Sequence, residues 1–326
     1  MVKMKYIFLI AVIIAIPTVS ANERIVVSIS DFIPIVKEIG GDFVEVDYIL
    51  PPGSDPHSFY LTKDTVDKIN DADVIILANS NLLSYEKKIK ENYDKEYLDF
   101  EDYRKNGVML KDFDGFHNNS HGYWLGIDNA IAIAKTVAIK LAEMEPEHAE
   151  YFFSSFNKFE KEMAEAKEFA VNMAKEYDLY GKKVVAVVPG VCYIISNLGM
   201  DADAILMAEG AAYTANFEEI KDKLENGECI AIVVPEFMKK AKAGEVARQL
   251  AEDTNSKVVY VKFSMAGRNE SYAGMLYYNV LQFLSIAKTK VENREGYNAE
   301  LIMLCISLAL LSLIEGIIIY KKVKND

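Results

Sequence analysis

One long apolar stripe constrains the fold of this chain more than any other feature of its sequence. From Phe152 to Tyr177, apolar residues recur at alternating steps of four and three positions, which is the spacing of one helix face. Pro146 before the stripe and Gly181 after it are typical of a helix start and a helix end. We therefore predict a helix over residues 146–180, with a coiled coil as the alternative. The stripe comprises Phe152, Phe156, Phe159, Met163, Ala166, Ala170, Met173 and Tyr177.

Runs typical of strands alternate with helical patterns on both sides of this helix. The strand-like runs are 24–28, 43–50, 73–78, 183–188, 230–234 and 258–263. Such alternation predicts an α/β fold of two lobes, each a mostly parallel sheet flanked by helices, bridged by the long helix. Asp31 is predicted to be the N-cap of the first helix. Residues 94–120 are polar and acidic, and are predicted to be irregular.

Both ends of the chain have the composition of targeting segments. The first 21 residues combine two lysines, an apolar run and a small-residue cleavage site, which predicts a secretory signal; an uncleaved anchor is the alternative. Residues 301–320 are apolar and long enough to cross about 30 Å of hydrocarbon. A basic tail follows them, so we predict a C-terminal transmembrane helix with the tail in the cytoplasm.

These patterns divide the chain into seven segments. They are a signal peptide (1–21), an N-terminal α/β lobe (22–145), the bridging helix (146–180), a C-terminal α/β lobe (181–290), a linker (291–300), the transmembrane helix (301–320) and a cytoplasmic tail (321–326). The chain is thus expected at the cell membrane as a single-pass protein with an extracellular ectodomain. Its net charge of −13 argues against nucleic acid as a partner, because that binding depends on Lys and Arg.

The four histidines differ in what their surroundings predict. His57 lies in PPGSDPHSF, a proline-rich loop directly after a strand, where α/β sheets hold ligands. Its ring suits a metal such as zinc, with Asp55 as a helix cap or as an orienting group; an ordinary polar loop residue is the alternative. His117 and His121 are four residues apart in a loop rich in Asn, Ser and Gly. His148 stands among acids, and is predicted to be a solvated helix residue.

Motifs of known enzyme classes are missing from the sequence. It contains no GxSxG, HExxH, GxxxxGK[ST] or GxGxxG. Its three cysteines include no CxxC pair, and Cys192 is predicted to be a buried small residue. We therefore predict that the protein is not an enzyme.

Several stretches resemble, in the same order, the metal-binding solute receptors of ABC transporters, a family that captures zinc or manganese for import. They cover about 24–288 and read PPGSDPHSF, DADVII, WLGIDNA, EPEHAEYFFSSFNKF, CYIISNLGM, PEFMKKAKAGEVARQLAEDTNSKVVYV and ESYAGMLYYNV. The resemblance implies two α/β lobes bridged by a long rigid helix, with the metal held between them. It also implies an ABC permease and an ATPase as partners.

The resemblance further implies four ligand positions, of which this chain fills the first plainly. His57 matches that first position. The second is a histidine two residues before the tryptophan; here that residue is Gly122, and His121 stands one residue upstream. The third and fourth positions fall on Val188 and on Ser264-Met265, which carry no side chain typical of a metal ligand.

We therefore expect His57 and His121 to bind the metal, with His117, Glu209, Glu236 and Glu270 as accessory donors. The expected function is a membrane-anchored extracellular solute-binding protein that captures a divalent ion, zinc or manganese, for an ABC importer. One alternative is a degenerate member of the same fold that acts as a surface adhesion or accessory protein. Another is a metallohydrolase that uses the same two histidines.

Overall fold

A computed structural model of the chain describes residues 22–113, 116–207, 217–265 and 270–287. The chain forms two compact units, Met1–Ile286 and Ala287–Asp326. Both lobes belong to the first unit. The signal peptide, the linker, the transmembrane helix and the tail expected from the sequence all lie outside the described residues, as does Glu209.

The first lobe contains a sheet of four parallel strands in the order β2-β1-β3-β4. Its strands are β1 (Glu23–Ile29), β2 (Val44–Leu50), β3 (Val74–Ile76) and β4 (Glu96–Leu98). Its helices are α1 (Phe32–Gly40), α2 (Lys63–Asp71), α3 (Ser84–Asn92) and α4 (Phe100–Lys105). The central strand β1 is buried from Ile25 onward, as expected for a parallel strand covered on both faces.

The second lobe has the same arrangement of strands and helices as the first. Its sheet is also parallel, in the order β10-β9-β7-β8. Its strands are β7 (Lys183–Ala186), β8 (Asp201–Ile205), β9 (Cys229–Pro235) and β10 (Lys257–Val261), and its helices are α7 (Val191–Asn197), α8 (Phe217–Glu225), α9 (Lys242–Asp253) and α10 (Tyr272–Leu284). In both sheets the first strand along the chain lies between the second and the third. This is where strand order reverses and where α/β sheets bind ligands.

Two long helices lie between the sheets in sequence. They are α5 (Ile127–Met144) and α6 (Ala149–Glu176), and α6, with 28 residues, is about 42 Å long. Helix α6 packs against α1, α5 and α10. The predicted stripe is buried from Phe152 to Ala170. Beyond Ala170 the buried face moves around the helix: Ala174 is fully buried, whereas Tyr177 is 40% exposed. This happens because a helix of 3.6 residues per turn drifts from a seven-residue repeat.

The prediction that residues 94–120 are irregular is wrong. They contain β4, α4 and a hairpin formed by two more strands, β5 (Lys111–Phe113) and β6 (Phe116–Asn119). These elements are only three to six residues long, too short to show a period. For α4 the start signal was present, since Asp99 and Asp102 form a capping box. Strand β8 was also missed.

The hairpin and the start of α5 fasten the first lobe to the second. Tyr193 of α7 donates its hydroxyl to the Asn119 carbonyl at 2.6 Å. The backbone amide of Lys111 donates to the same hydroxyl at 3.1 Å. Asn197 accepts from the Ile127 amide at 3.1 Å and donates to a carbonyl just before α5 at 2.8 Å. Such a buried network favours a rigid pair of lobes over a freely hinged one.

The fold prediction is wrong in including a transmembrane helix. Among the helices of residues 22–113, 116–207, 217–265 and 270–287, none combines the length and apolar composition needed to cross a bilayer. The longest ones, α5 and α6, carry charged residues on the faces that are not buried, as in Asp128, Lys135 and Lys140 of α5. Residues 301–320, to which that prediction referred, lie outside this part of the chain.

Candidate metal centre

The loop that carries His57 is folded by its own hydrogen bonds. It leaves the carboxyl end of β2 at Leu50 and turns where the Ser54 amide donates to the Pro51 carbonyl at 3.1 Å. Asp55 accepts from the backbone amide of His57 at 3.0 Å. Asp55 thus shapes the turn, and neither of the roles predicted for it, helix cap or imidazole partner, is seen. His57 is exposed.

His121 reaches the same place from the end of the hairpin. Its backbone amide donates to the Asn119 side-chain oxygen at 3.0 Å. Asn119 is itself fully buried and donates to the Pro189 carbonyl of the second lobe at 2.8 Å. The half-buried imidazole meets the edge of Phe116, with centroids 5.6 Å apart. The centroids of the His57 and His121 rings are 5.9 Å apart.

Both histidine segments are attached to the same edge of the first sheet. Phe59, two residues after His57, packs against the ring of Tyr85 at 5.2 Å. Tyr123, two residues after His121, donates its hydroxyl to the Ala78 carbonyl just beyond β3 at 2.7 Å. The carboxyl ends of β2 and β3 therefore determine the distance between the two imidazoles.

This distance suits a shared metal ion. Two imidazoles bound to one zinc ion at a tetrahedral angle have centroids about 5 Å apart, given zinc–nitrogen bonds of about 2.0–2.1 Å. The observed 5.9 Å is close to this separation, and His57 is exposed. The structure thus brings together the two histidines that the sequence predicted as ligands.

Gly122, next to His121, lies at a close approach of the two lobes. Its φ is +64°, a backbone conformation that disfavours side chains. A Cβ atom on Gly122 would lie 2.8 Å from the Cα of Gly190 in the second lobe. The backbones of the two lobes are in close contact here, so a side chain at this position would require them to move apart.

The second lobe offers an apolar wall at its ligand positions. Val188 is half-buried in the apolar core of the lobe. A Cβ atom added to Gly190 would lie 2.6 Å from the ring of Phe263, which packs edge-on against Phe237 at 5.8 Å. Met265 is 1% exposed. The surroundings of Val188 and Met265 are therefore apolar.

The predicted accessory donors have other partners or other surroundings. His117 has an 84% exposed side chain on the hairpin, with Nδ1 3.7 Å from an Asp112 oxygen. Glu236 accepts a hydrogen bond from the Tyr278 hydroxyl, and Glu270 pairs with Lys262.

The sequence missed one acidic residue between the lobes, Asp31. Asp31 stands at the N-cap position of α1, as predicted, but its side chain makes no cap hydrogen bond. Instead, its carboxylate accepts from the Met265 amide of the second lobe at 2.7 Å and from the indole of Trp124 at 3.1 Å. Burial raises the pKa of Asp31 to about 6, although the Met265, Ser264 and Trp124 donors oppose this rise. Asp31 and Met265 are 234 positions apart, and a contact between such distant residues leaves no local pattern in a sequence.

Another group of metal-binding side chains lies at the other end of the first lobe. Glu145, Glu147 and His148 each place one ligand atom within 4.8 Å of the others. His148 stacks on Phe43 at 4.1 Å and lies 3.5 Å from a Glu145 oxygen. Phe43 precedes β2, whereas the His57 loop follows it, so a whole strand separates the two groups.

The buried cysteines contribute neither a ligand nor a nucleophile. Cys192 and Cys229 are 0% and 1% exposed. Burial raises the pKa of the Cys192 thiol to about 12 and that of Cys229 to about 11. Because only the thiolate binds metal or attacks a substrate well, both behave as small apolar residues, as predicted for Cys192.

Comparison with known proteins identifies the family. The sequence pattern of ZnuA, the periplasmic zinc-uptake complex component A, matches residues 25–285. The chain belongs to this family. The manganese ABC transporter substrate-binding lipoprotein PsaA of Streptococcus mitis is 24% identical over 276 residues, covering 80% of this chain and 86% of that protein. The metal ABC transporter substrate-binding lipoprotein FimA of Streptococcus parasanguinis is 22% identical over 276 residues, covering 81% and 87%.

Solved structures share the fold of this ZnuA family member. A crystal structure of ZnuA superposes with a TM-score of 0.68 at 17% identity, covering 81% of this chain and 99% of that one. The solute-binding protein FpvC of Pseudomonas aeruginosa, solved in complex with Mn²⁺, has a TM-score of 0.67 at 16% identity, covering 82% and 99%. A periplasmic protein of Candidatus Liberibacter asiaticus has been solved bound to Mn and to Cd.

Proposed function

We propose that this chain is the substrate-binding component of an ABC metal importer. Its cargo is a divalent ion of the zinc or manganese class, held in the cleft by His57 and His121. It passes this ion to a permease driven by an ATPase, on the outer side of the membrane. The pair of imidazoles at the carboxyl edge of the first sheet carries the proposal. Family membership and the metal-binding relatives support it.

The donor set favours zinc over manganese. Imidazole nitrogen is a good ligand for zinc, whereas manganese prefers carboxylate oxygens. At a site of given geometry, zinc is also bound more tightly than manganese by the general order of divalent affinities. We therefore expect the protein to bind zinc more tightly than manganese.

The network between the lobes predicts a small motion on binding. Hydrogen bonds from Tyr193 and Asn197 join the lobes close to the histidines. A wide hinge opening would break these bonds and the Gly122–Gly190 contact. Cargo binding would then mainly reorient the exposed His57 loop.

Metal-dependent stability tests this proposal. Zinc at about 100 times its Kd adds about 2.7 kcal/mol of stability if it binds the folded state alone. The midpoint of thermal unfolding of the purified protein should rise with zinc. His57→Ala and His121→Ala should each remove that rise. His117→Ala should retain it, since this exposed ring is not one of the pair.

The apolar wall of the second lobe favours one other candidate function. Val188 and Met265 stand where the family resemblance implies ligands. If no divalent metal stabilises the wild-type protein, an accessory or adhesion protein built on the same fold is the better account.

A further inference from the structure

The carboxylate of Asp31 lies against the place where the fourth ligand would be expected. That place is Ser264-Met265, just after β10 of the second lobe. The Met265 amide donates to Asp31 Oδ1 at 2.7 Å, and the Ser264 side chain also bonds to this carboxylate. A carboxylate is thus present at this position, but it comes from the first lobe.

Among residues 22–113, 116–207, 217–265 and 270–287, the hydrogen-bond donors to Asp31 carry no positive charge. They are a backbone amide, a hydroxyl and the indole N–H of Trp124. The residue is 5% exposed, so water screens the charge little. Glu270 adds further negative potential, and Lys262 is paired with Glu270.

The position of Asp31 connects it to the two histidines. It follows β1, which lies between β2 and β3 in the sheet, two residues after the strand ends. The His57 loop leaves β2 at the same edge. Trp124, whose indole bonds to Asp31, is three residues after His121. A buried anion at this edge favours a nearby cation. A carboxylate accepts about four hydrogen bonds, and the donors found in the described part of the chain number three.

We propose that Asp31 supplies, from the first lobe, the carboxylate that the second lobe lacks, and thereby neutralises the divalent cation held by His57 and His121. This inference rests on the proposed function. It gives the first lobe two imidazoles and, at the same edge of its sheet, a negative charge, with the second lobe contributing the Met265 amide and the Ser264 hydroxyl that orient Asp31.

Isothermal titration of zinc into the purified full chain at pH 7 tests the inference. Asp31→Asn removes the charge at nearly constant volume, and should weaken binding by about 10- to 100-fold, the range typical of groups that support a metal site. Trp124→Phe removes one hydrogen bond but leaves the charge, so affinity should stay within about threefold of wild type.

A double variant that moves the carboxylate to the second lobe, and a control variant far from the site, sharpen the test. Asp31→Asn combined with Ser264→Asp restores a carboxylate from the other side of the cleft, and should recover most of the lost affinity. Glu23→Gln removes an acid at the opposite end of β1 and should not alter binding. Circular dichroism verifies that each variant is folded.

Each outcome decides the question. If wild-type protein binds zinc and folded Asp31→Asn binds it within about threefold, the inference fails while the proposed function stands. If Asp31→Asn does not fold, Trp124→Phe decides: loss of binding in that folded variant would show that the hydrogen-bond geometry matters and not the charge. If wild-type protein binds no divalent metal, both proposals fail.

Discussion

Substitution of Gly122 tests the close approach of the two lobes beside the metal centre. Gly122→Ala introduces a Cβ atom at φ +64°, 2.8 Å from the Cα and 3.0 Å from the carbonyl oxygen of Gly190. A left-handed backbone costs an ordinary residue roughly 1–2 kcal/mol. Forcing an extra carbon into a packed contact costs about 1–3 kcal/mol more. We therefore expect a loss of about 2–5 kcal/mol in the free energy of unfolding.

Gly53 provides the matched control in the His57 loop. Its φ is +75°, but a Cβ atom there would meet nothing within 4 Å. Gly53→Ala should cost only the backbone part, roughly 1–2 kcal/mol. Guanidinium unfolding of both variants gives the two free energies. Equal losses would refute the claim that the lobes touch at Gly122.

The same reasoning predicts the result of restoring the expected histidine. Gly122→His should destabilise the protein at least as much as Gly122→Ala, and should not tighten zinc binding. Tighter zinc binding by a stable Gly122→His protein would contradict this reasoning. It would show that the backbone at position 122 adapts, and that the Gly190 contact does not prevent a histidine there.

Two further predictions concern the long helix and an acidic cluster. Phe159→Ala should cost about 3–5 kcal/mol in denaturant unfolding because its ring is 1% exposed, whereas Phe153→Ala on the same helix, 43% exposed, should cost less than about 1 kcal/mol; equal losses would mean that the buried stripe is misassigned. Burial and the neighbouring carboxylates of Glu145 and Asp73 raise the pKa of Glu23 to about 7. Its folded form therefore holds a proton that the unfolded form loses above about pH 4.5, so its contribution to stability declines as the pH rises towards 7. Glu23→Gln should stabilise the protein at pH 8 more than at pH 5, and thermal unfolding at both values will show this; the reverse order would contradict the shift.

The helices and strands whose apolar residues follow a clear pattern were predictable from sequence. The Phe152–Ala170 stripe is buried as predicted, because seven turns of one helix leave a repeated signal. The strands 24–28 and 73–78 were also visible, since parallel strands covered on both faces read as short apolar runs. Strand β8 was missed because its sequence DADAI places charged residues between small ones, and its burial comes from neighbouring strands.

The candidate site was predictable where it depends on a local loop, and not where it depends on contact between lobes. His57 was identified from its proline-rich turn and its place after a strand. The pairing of His121 with His57 depends on tertiary contacts of Tyr123 and Asn119. The position of Asp31 before α1 was predictable, whereas the contact of its carboxylate with Met265 was not.

The measurement that tests the central claim most directly is a zinc titration of wild-type protein beside His57→Ala and His148→Ala. The two histidines belong to two different groups of metal-binding side chains, at opposite ends of β2. The cleft account predicts that wild-type protein binds zinc, that His57→Ala abolishes binding, and that His148→Ala retains wild-type affinity. Binding that survives in His57→Ala and is lost in His148→Ala, or no binding by wild-type protein at roughly 100 µM zinc, would contradict it.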